Sequence, residues 1–462
     1  MKRRVCVLVL VMFTIILNAC AEGTETVTAN KSEAAVTEQE IAQEEIEPEN
    51  VEYFEIDEAM SSFADDRAWV EFYKDGYYER NYAIIDKDGN VIWSVTSSEL
   101  GWDVAGFYTT DASDFKDGIS CLYAADGEFD RLHDGTPTGK ESGYGRNEGM
   151  ILINTDGEII FDSRTQPEGT KYYYLGYGDG VFLAAQNIAG FSSNEWYLCE
   201  INTSGEIVSQ IYLDPSLEVT EYFRADFEYY GNGVFMGKRH DIDPSSFLSS
   251  VDESMLYDKN THTFVNTHVN FNILTDFNEG SSLIDAGRIY QIDRNNLLQI
   301  NEDNLKEIAV DIGIYGNVGD GLITTTKGIY NYQGELISSY PEDWNILELD
   351  AFSGGYAAIK LQGADESTYV TVIDQNCNMQ YEPKKVDSCT FPSYQGYVSA
   401  VADGIGIYLD PQGNEISRSD LAVLGQDFTI GDYEFKGGFV INENSYYGLD
   451  GTSIQSVCIK EN

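Results

Sequence analysis

Short runs of apolar residues separated by polar turns recur along most of the chain, and helical periodicity is hard to find. Runs of four to five apolar residues indicate strands that are buried on both faces. Many runs are joined by Asp-Gly, Ser-Gly or Gln-Gly, which supply the positive φ angle of a tight hairpin. The clearest strand–turn–strand segments are 82–93, 151–161, 198–208, 329–337, 370–379 and 407–416, with weaker copies at 257–260, 292–295 and 449–451. The pattern predicts an all-β protein.

A second motif, an often acidic residue followed by Gly and an apolar or aromatic run, recurs at intervals that average about 45 residues. Its glycines are Gly76, Gly118, Gly180, Gly233, Gly280, Gly321, Gly355, Gly396 and Gly438. Each interval has room for four strands of ordinary length with short turns. Because one four-stranded sheet cannot bury its faces alone, neighbouring sheets must stack. Radial stacking gives a β-propeller, which leaves only short exposed edges.

The sequence therefore predicts a β-propeller of about seven or eight blades, built from repeated short antiparallel sheets. A β-solenoid or tandem β-domains are the alternatives. Nine motif copies exceed the usual four to eight blades, so we expect some copies to share a blade. We also expect Val51–Glu55 and Trp69–Tyr73 to complete the last sheet and close the ring, since closure removes the free ends of a repeat array.

The repeats resemble the bacterial WG repeat, in which Trp-Gly, two apolar residues and Asp precede a polar turn. The best stretch is 328–416. Gly406 and Asp410 match the motif while Ile405 replaces its Trp, and Tyr447 replaces the Trp before Gly448. The chain contains no Trp-Gly pair. The resemblance implies a β-rich repeat structure and little about activity.

The first twenty residues resemble the signal sequence of bacterial lipoproteins. Three basic residues at 2–4 precede Val5–Leu17, a run that is apolar except for one Thr. Thirteen residues are too few for a membrane-spanning helix but fit the apolar region of a secretory signal. Leu17, Ala19 and Cys20 match the lipobox, although Asn18 departs from the usual small residue. The resemblance implies cleavage before Cys20 and lipidation of its thiol. An ordinary secretory signal with a chance Cys is the alternative.

The next segment is strongly acidic. Residues 21–50 hold nine Glu, one Lys and no aromatic residue. A segment of this composition has too little apolar surface to offset the entropy cost of becoming ordered. We expect a disordered tether that spans about 30 Å as a coil. The predicted organisation is a signal peptide at 1–19, the lipidated Cys20 and acidic tether at 20–50, and a repeat domain at 51–462.

The charge of the chain restricts its partners. Lys and Arg number 28 against 78 Asp and Glu, giving a net charge of -50. Such a charge disfavours nucleic acid and other polyanions, and it favours cations, neutral sugars, peptides or basic proteins. We expect a monomer that contacts the membrane through Cys20 and binds a protein, a peptide or a neutral glycan, with no nucleic acid partner.

Motifs that would carry chemistry are scarce. The four histidines are His133, His240, His262 and His268, and none lies in a nucleophile or metal spacing. The loop 135–143 is similar to a phosphate-binding loop, but Glu141 stands where a Ser or Thr must meet the metal. At the acidic segments 86–89 and 111–118 calcium binding is the alternative to hairpin turns, which the spacing favours. We therefore assign no catalytic residue, metal ligand or cofactor.

Cysteines and aromatic residues leave alternatives open. Cys121, Cys199, Cys377, Cys389 and Cys458 form no disulfide framework, and we expect small buried hydrophobes, with a Cys377–Cys389 pair as the alternative. Tyr172–Tyr174, Tyr229–Tyr230, Phe191, Trp102 and Trp196 would stack on sugar or peptide at a propeller mouth, or form core between blades.

The sequence favours a membrane-anchored, extracytoplasmic lipoprotein whose propeller binds or scaffolds at the cell surface without catalysis. The alternative is a propeller enzyme acting on glycans or peptides. Asp65 and Asp66, or another two carboxylates at the ring centre, would then form an acid–base pair. An envelope assembly subunit is a third hypothesis.

Overall fold

The recurring hairpins belong to nine small antiparallel sheets in the computed structural model. The structure describes residues 51–74, 79–101, 109–125, 149–189, 194–213, 227–242, 250–267, 271–277, 280–285, 289–299, 306–308, 317–325, 327–425, 427–442 and 444–460. Helical segments among these residues are short: α1 (Ser97–Leu100) and the 3-10 turns Ser163–Thr165, Arg294–Gln299 and Arg418–Leu424. Within these ranges, no helix has the length and apolar character needed to cross a bilayer.

The sheets are numbered in chain order, and most contain four strands in a simple meander. Sheet 1 contains β1 (Val51–Ala59), β2 (Ala68–Tyr73), β3 (Arg80–Ile85) and β4 (Val91–Thr96). Sheet 2 contains β5 (Thr109–Ala112), β6 (Ile119–Ala125), β7 (Met150–Asn154) and β8 (Ile159–Asp162). Sheet 3 contains β9 (Thr170–Gly178), β10 (Val181–Ala189), β11 (Asn194–Asn202) and β12 (Ile207–Leu213). Sheet 4 contains β13 (Phe227–Tyr229), β14 (Val234–Ile242), β15 (Ser250–Asp258) and β16 (Thr263–Asn266). Sheet 5 contains β17 (Asn272–Ile273), β18 (Ser281–Asp285), β19 (Ile289–Asp293) and β20 (Lys306–Glu307).

The remaining sheets follow the same order. Sheet 6 contains β21 (Asn317–Gly319), β22 (Leu322–Thr324), β23 (Gly328–Asn331) and β24 (Leu336–Ser339). Sheet 7 contains β25 (Ile346–Leu349), β26 (Tyr356–Gln362), β27 (Thr368–Asp374) and β28 (Lys384–Val386). Sheet 8 contains β29 (Ser388–Tyr394), β30 (Tyr397–Ala402), β31 (Ile405–Leu409) and β32 (Glu415–Ile416). Sheet 9 contains β33 (Phe428–Ile430), β34 (Tyr433–Lys436), β35 (Phe439–Asn442), β36 (Ser445–Gly448) and β37 (Ser453–Ile454), and β38 (Ser456–Lys460) joins sheet 1 beside β1. In sheets 1 to 8 the four meander strands are called A to D; in sheet 9 strands A to D are β34 to β37.

The six clearest hairpins predicted from the sequence are confirmed, and each uses the same turn between strands C and D. The Asp86 Oδ1 atom accepts hydrogen bonds from the backbone N–H groups of Asp88 and Asn90, both at 2.9 Å. The same pair of bonds recurs at Asn154, Asn202, Asn331, Asp374 and Asp410. An Asp or Asn side chain that bonds to backbone two and four residues later fixes the turn locally.

The second motif marks the turn between strands A and B. Eight of its nine glycines, all except Gly76, have a positive φ and lie in this turn. Gly76 lies outside the described residues. The A–B turn of sheet 1 instead contains Asp65 and Asp66, at φ angles of 50° and 61°. Asp tolerates this left-handed region better than most side chains, so the turn forms without glycine.

Nine apolar clusters join each sheet to the next, and the ninth joins sheet 9 back to sheet 1. In that ninth cluster, Phe439 and Tyr446 of sheet 9 pack with Phe63 and Val70 of sheet 1. The sheets are therefore arranged as a nine-bladed propeller. The prediction of seven or eight blades was wrong, because the usual blade number was given more weight than the nine motif copies. The interval between Gly118 and Gly180 is long because residues 126–149 connect β6 to β7.

The two ends of the repeat domain pair with each other. Val51–Glu55, the first half of β1, forms an antiparallel ladder with Ser456–Lys460, and the second half of β1 pairs with β2. The expectation that Val51–Glu55 takes part in closing the ring is confirmed. Residues 69–73 belong to strand B of sheet 1 and do not complete the last sheet.

Candidate functional site

A cavity of about 1020 Å³ lies where the A–B turns of sheets 1, 2, 3 and 9 meet strand A of sheet 4. Strands A of neighbouring sheets approach one another closely here. A Cβ atom on Gly176 of β9 would lie 2.0 Å from the carbonyl oxygen of Phe227 in β13, so only glycine fits at that position. The cavity is thus formed by the inner strands of five successive sheets.

Carboxylates dominate the polar lining of the cavity. They are Asp65, Asp66, Asp114, Asp117, Asp179, Glu228 and Asp427. The lining contains two cations, Lys116 and Lys436, which leaves a net charge of -5 on these residues. Such a concentration of one sign in a concave surface focuses the electrostatic potential and attracts cations.

Hydrogen bonds from the neighbouring sheets hold the turn carboxylates in place. The Oδ2 atom of Asp65 accepts a 2.7 Å bond from the Gly118 N–H, so it links sheets 1 and 2. The Tyr177 hydroxyl donates to Asp117, which links sheets 2 and 3. The Lys259 ammonium lies 2.8 Å from Asp179 Oδ2 and links sheets 3 and 4. These carboxylates are therefore fixed before any ligand arrives.

Lys436 is paired with two carboxylates at the sheet 9 side of the cavity. Its ammonium donates to Asp114 at 2.9 Å and to Glu434 at 2.8 Å. Burial works against the charge, but the hydrogen bonds to the two carboxylates outweigh it and raise the pKa of Lys436. The Ser62 N–H also donates to Asp114 at 2.8 Å, so this aspartate joins sheets 1, 2 and 9.

Aromatic rings form the apolar wall of the cavity. Tyr123, Tyr174 and Tyr229 line it and are half-buried, whereas Phe227 is buried. The ring centroids of Tyr123 and Tyr174 lie 4.8 Å apart at an interplanar angle of 35°. A wall of this kind can bind an apolar stem or, through the ring faces, a cation.

The lining suits binding better than acid–base or nucleophilic chemistry. Asp65 and Asp66, which the glycosidase hypothesis offers as one possible carboxylate pair, do line the cavity. However, Asp66 lies 2.5 Å from the Lys87 ammonium, and this hydrogen bond lowers the pKa of the Asp66 carboxyl. A general acid needs a raised pKa, and the pKa of Asp66 is shifted in the opposite direction. No Ser, Cys or His occurs among the described residues that line the cavity.

Part of one acidic segment reaches the cavity, whereas the other segment and His262 lie elsewhere. Of the 111–118 segment, Asp114 and Asp117 reach the cavity, whereas Asp86 is used in the C–D hairpin turn of sheet 1. Among the described residues, no group of three His, Cys, Asp or Glu side chains could hold a metal ion. His262 lies 3.3 Å from the buried Glu200, at the junction of sheets 3 and 4. His133, His268 and the loop 135–143 lie outside the described residues.

The aromatic residues named from the sequence divide between wall and core. Tyr174 and Tyr229 line the cavity, while Tyr172 and Trp196 belong to the apolar clusters between sheets. Tyr173 and Tyr230 pack against those clusters. Trp102 and Phe191 lie outside the described residues.

The cysteines of the repeat domain are free and buried. Cys377 packs between sheets 6 and 7 and Cys389 between sheets 7 and 8, so the alternative of a disulfide between them is wrong. Burial raises the pKa of Cys199 to about 12 and that of Cys389 to about 11, which makes both thiols poor nucleophiles. Cys20 lies outside the described residues.

Sequence reasoning missed one recurring feature near the A–B turns. The side chains of Ser61, Ser113 and Thr275 accept hydrogen bonds from the backbone N–H groups of Trp69, Cys121 and Leu283, at 2.9 to 3.0 Å. A Ser or Thr two residues before a Phe is the shared signal, as in 61–63, 113–115 and 275–277. This bond ties strand A to strand B at the A–B turn.

No protein-family model matches the chain, and no curated protein matches it. Solved structures with a similar arrangement include a eukaryotic initiation factor, at 14% identity and a TM-score of 0.40, covering 78% of this chain and 86% of that one. The β-propeller domain of the Trilobed protease from Pyrococcus furiosus is 10% identical, with a TM-score of 0.29 and coverage of 79% and 97%. A prolyl endopeptidase is 10% identical, with a TM-score of 0.36 and coverage of 87% and 52%, so this chain spans about half its length. Scores this low carry no argument about function.

Proposed function

We propose that this protein is a lipid-anchored binding module on the extracytoplasmic face of a bacterial membrane, and that it holds its ligand in the cavity without chemical turnover. The observation that carries the proposal is the composition of the cavity. Four of its carboxylates are fixed by bonds between sheets, its wall is aromatic, and its described lining contains no Ser, Cys or His. A pre-organised polar and aromatic cavity is the usual form of a ligand site.

The N-terminal sequence supports the location. The lipobox-like residues Leu17, Ala19 and Cys20 and the acidic segment 21–50 would place the propeller at the end of a flexible, self-repelling spacer. We expect radiolabelled palmitate to be incorporated into the wild-type chain and not into the Cys20→Ala variant. Equal labelling of both chains, or no labelling of either, would rule out the anchor.

A screen that measures binding and turnover in the same samples tests the role of the cavity. Purified residues 51–462 are mixed with short peptides, basic proteins and neutral oligosaccharides, and each mixture is examined by calorimetry and then by mass spectrometry. We expect at least one saturable complex whose ligand is recovered unchanged. Cleavage of a peptide or glycan by the wild-type chain would favour the enzyme hypothesis instead.

A further inference from the structure

We infer that the group bound in the cavity is a cation, an alkylammonium or guanidinium whose apolar stem lies against the tyrosine wall. The inference rests on the proposed function, because it names the ligand class of that same cavity. A lysine or arginine side chain of a peptide and a free polyamine share this chemistry.

Three carboxylates of the cavity share one turn geometry. Asp65, Asp117 and Asp179 occupy the same position in the A–B turns of three successive sheets, and all three are exposed. Each uses Oδ2 for its bond to the next sheet, and among the described contacts Oδ1 accepts no bond in any of them. Because the three carboxylates are already fixed and each has an open oxygen, they can bind a cation without the entropy cost of ordering their side chains.

The aromatic wall supplies the second part of the binding surface. Half-buried Tyr123 and Tyr174 offer ring surface beside the carboxylates, and Tyr229 lies on the neighbouring strand. An aromatic face attracts a cation and also covers the methylene stem of a lysine or polyamine. An anionic ligand would gain nothing here, and a neutral ligand would leave the charge of the cavity uncompensated.

Lys436, on the opposite side of the cavity, is already neutralised by Asp114 and Glu434. Lys259 is paired with Asp179, so among the described ion pairs no cation balances Asp65 or Asp117. The cavity therefore keeps a negative side next to its aromatic wall.

Two matched substitutions separate the cavity from the overall charge of the protein. Asp65 and Asp320 both lie in A–B turns, at φ angles of 50° and 51°. Both accept a backbone bond from the turn glycine of the next sheet, at 2.7 Å from Gly118 and 2.6 Å from Gly355. Only Asp65 lines the cavity. Asn232 occupies the same turn position in sheet 4 at a φ of 49°, so Asp→Asn preserves the backbone.

The probes are an amidated tetralysine peptide, spermidine, and a neutral tetra-asparagine peptide of the same length, titrated by calorimetry at low and physiological salt. We expect Asp65→Asn to weaken tetralysine or spermidine binding about fivefold at low salt, and Asp320→Asn to weaken it less than about twofold. Tyr174→Leu should weaken binding by a similar factor to Asp65→Asn, whereas Tyr212→Leu on the outer strand of sheet 3 should not.

Preferential binding of tetralysine identifies a peptide as the source of the cation, and preferential binding of spermidine identifies a polyamine; either result supports the inference. If Asp65→Asn and Asp320→Asn weaken cation binding equally, the inference is overturned, because the attraction would then come from the electrostatic field of the whole acidic protein. Failure of both cationic probes would also overturn it. If tetra-asparagine or an oligosaccharide binds and Tyr174→Leu abolishes that binding, the inference fails while the proposed function stands.

Discussion

Replacing Gly319 with alanine tests how closely neighbouring sheets approach at the inner side of the ring. A Cβ atom on Gly319, in strand A of sheet 6, would lie 2.2 Å from the carbonyl oxygen of Phe352 in sheet 7. The same approach recurs between Gly176 and Phe227, and between Gly437 and Phe63. The substitution therefore probes a contact that the propeller uses repeatedly.

The cost follows from the overlap. Cβ atoms essentially never lie closer than 3.0 Å to another heavy atom, so the carbonyl oxygen must retreat by at least 0.8 Å (3.0 minus 2.2). Because that oxygen belongs to backbone, no side-chain rotation can relieve the overlap. Overpacking against backbone should lower the free energy of unfolding by about 3 kcal/mol.

Gly321→Ala in the same turn is the matched control. Gly321 has a φ of 76°, and a Cβ atom there would have no neighbour within 4 Å, so alanine meets only conformational strain of about 1 kcal/mol. Urea unfolding followed by tryptophan fluorescence measures both variants. If Gly319→Ala is no more destabilising than Gly321→Ala, sheets 6 and 7 are not in backbone contact and the reasoning is refuted.

Two further predictions concern buried polar groups. The buried Tyr446 hydroxyl donates to the carbonyls of Ser61 and Trp69 at 2.7 and 2.9 Å, so Tyr446→Phe should cost about 1–2 kcal/mol in urea unfolding. Tyr381→Phe removes a buried hydroxyl that has no hydrogen bond among the described residues, and it should be neutral or stabilising; equal losses in both variants would contradict this contrast. Burial raises the pKa of Asp350, so the folded state holds that proton more tightly than the unfolded state does. Relative to Asp350→Asn, wild type should therefore be more stable at pH 3 than at pH 7. Urea unfolding of both chains across that range measures the difference, and the opposite pH trend would contradict a raised pKa for Asp350.

Local features of the fold could be predicted from the sequence because they depend on neighbouring residues. Each C–D turn needs only an Asp or Asn whose side chain accepts hydrogen bonds from the backbone N–H groups two and four residues later. Asp86 and Asn154 therefore mark their hairpins directly. The A–B turn of sheet 1 was missed because Asp66 takes the place that glycine holds in the other sheets. Blade number was underestimated because a general preference for fewer blades was set against the observed repeat count.

The cavity could not be predicted, because its contacts join residues that are distant in sequence. Asp65 meets Gly118, and Asp114 meets Lys436 across more than 300 positions. The sequence shows each carboxylate but not which sheet lies beside it. The sequence offers Asp65 and Asp66 only as one possible carboxylate pair, and the bond to Lys87 that fixes the charge of Asp66 follows only from the folded turn.

Ring closure between sheets 9 and 1 places the cavity residues of these two sheets beside each other. Tyr53 of β1 lies directly opposite Cys458 of β38, whose N–H donates to the Gly89 carbonyl and not to β1. Opposed residues of this kind lie about 4.5 Å apart at Cα, within the range that a disulfide spans. We predict that Tyr53→Cys forms an intramolecular disulfide with the native Cys458 under mild oxidation, and that adding Cys458→Ser abolishes it. An introduced thiol that stays free, or that links only separate molecules, would contradict the closed ring.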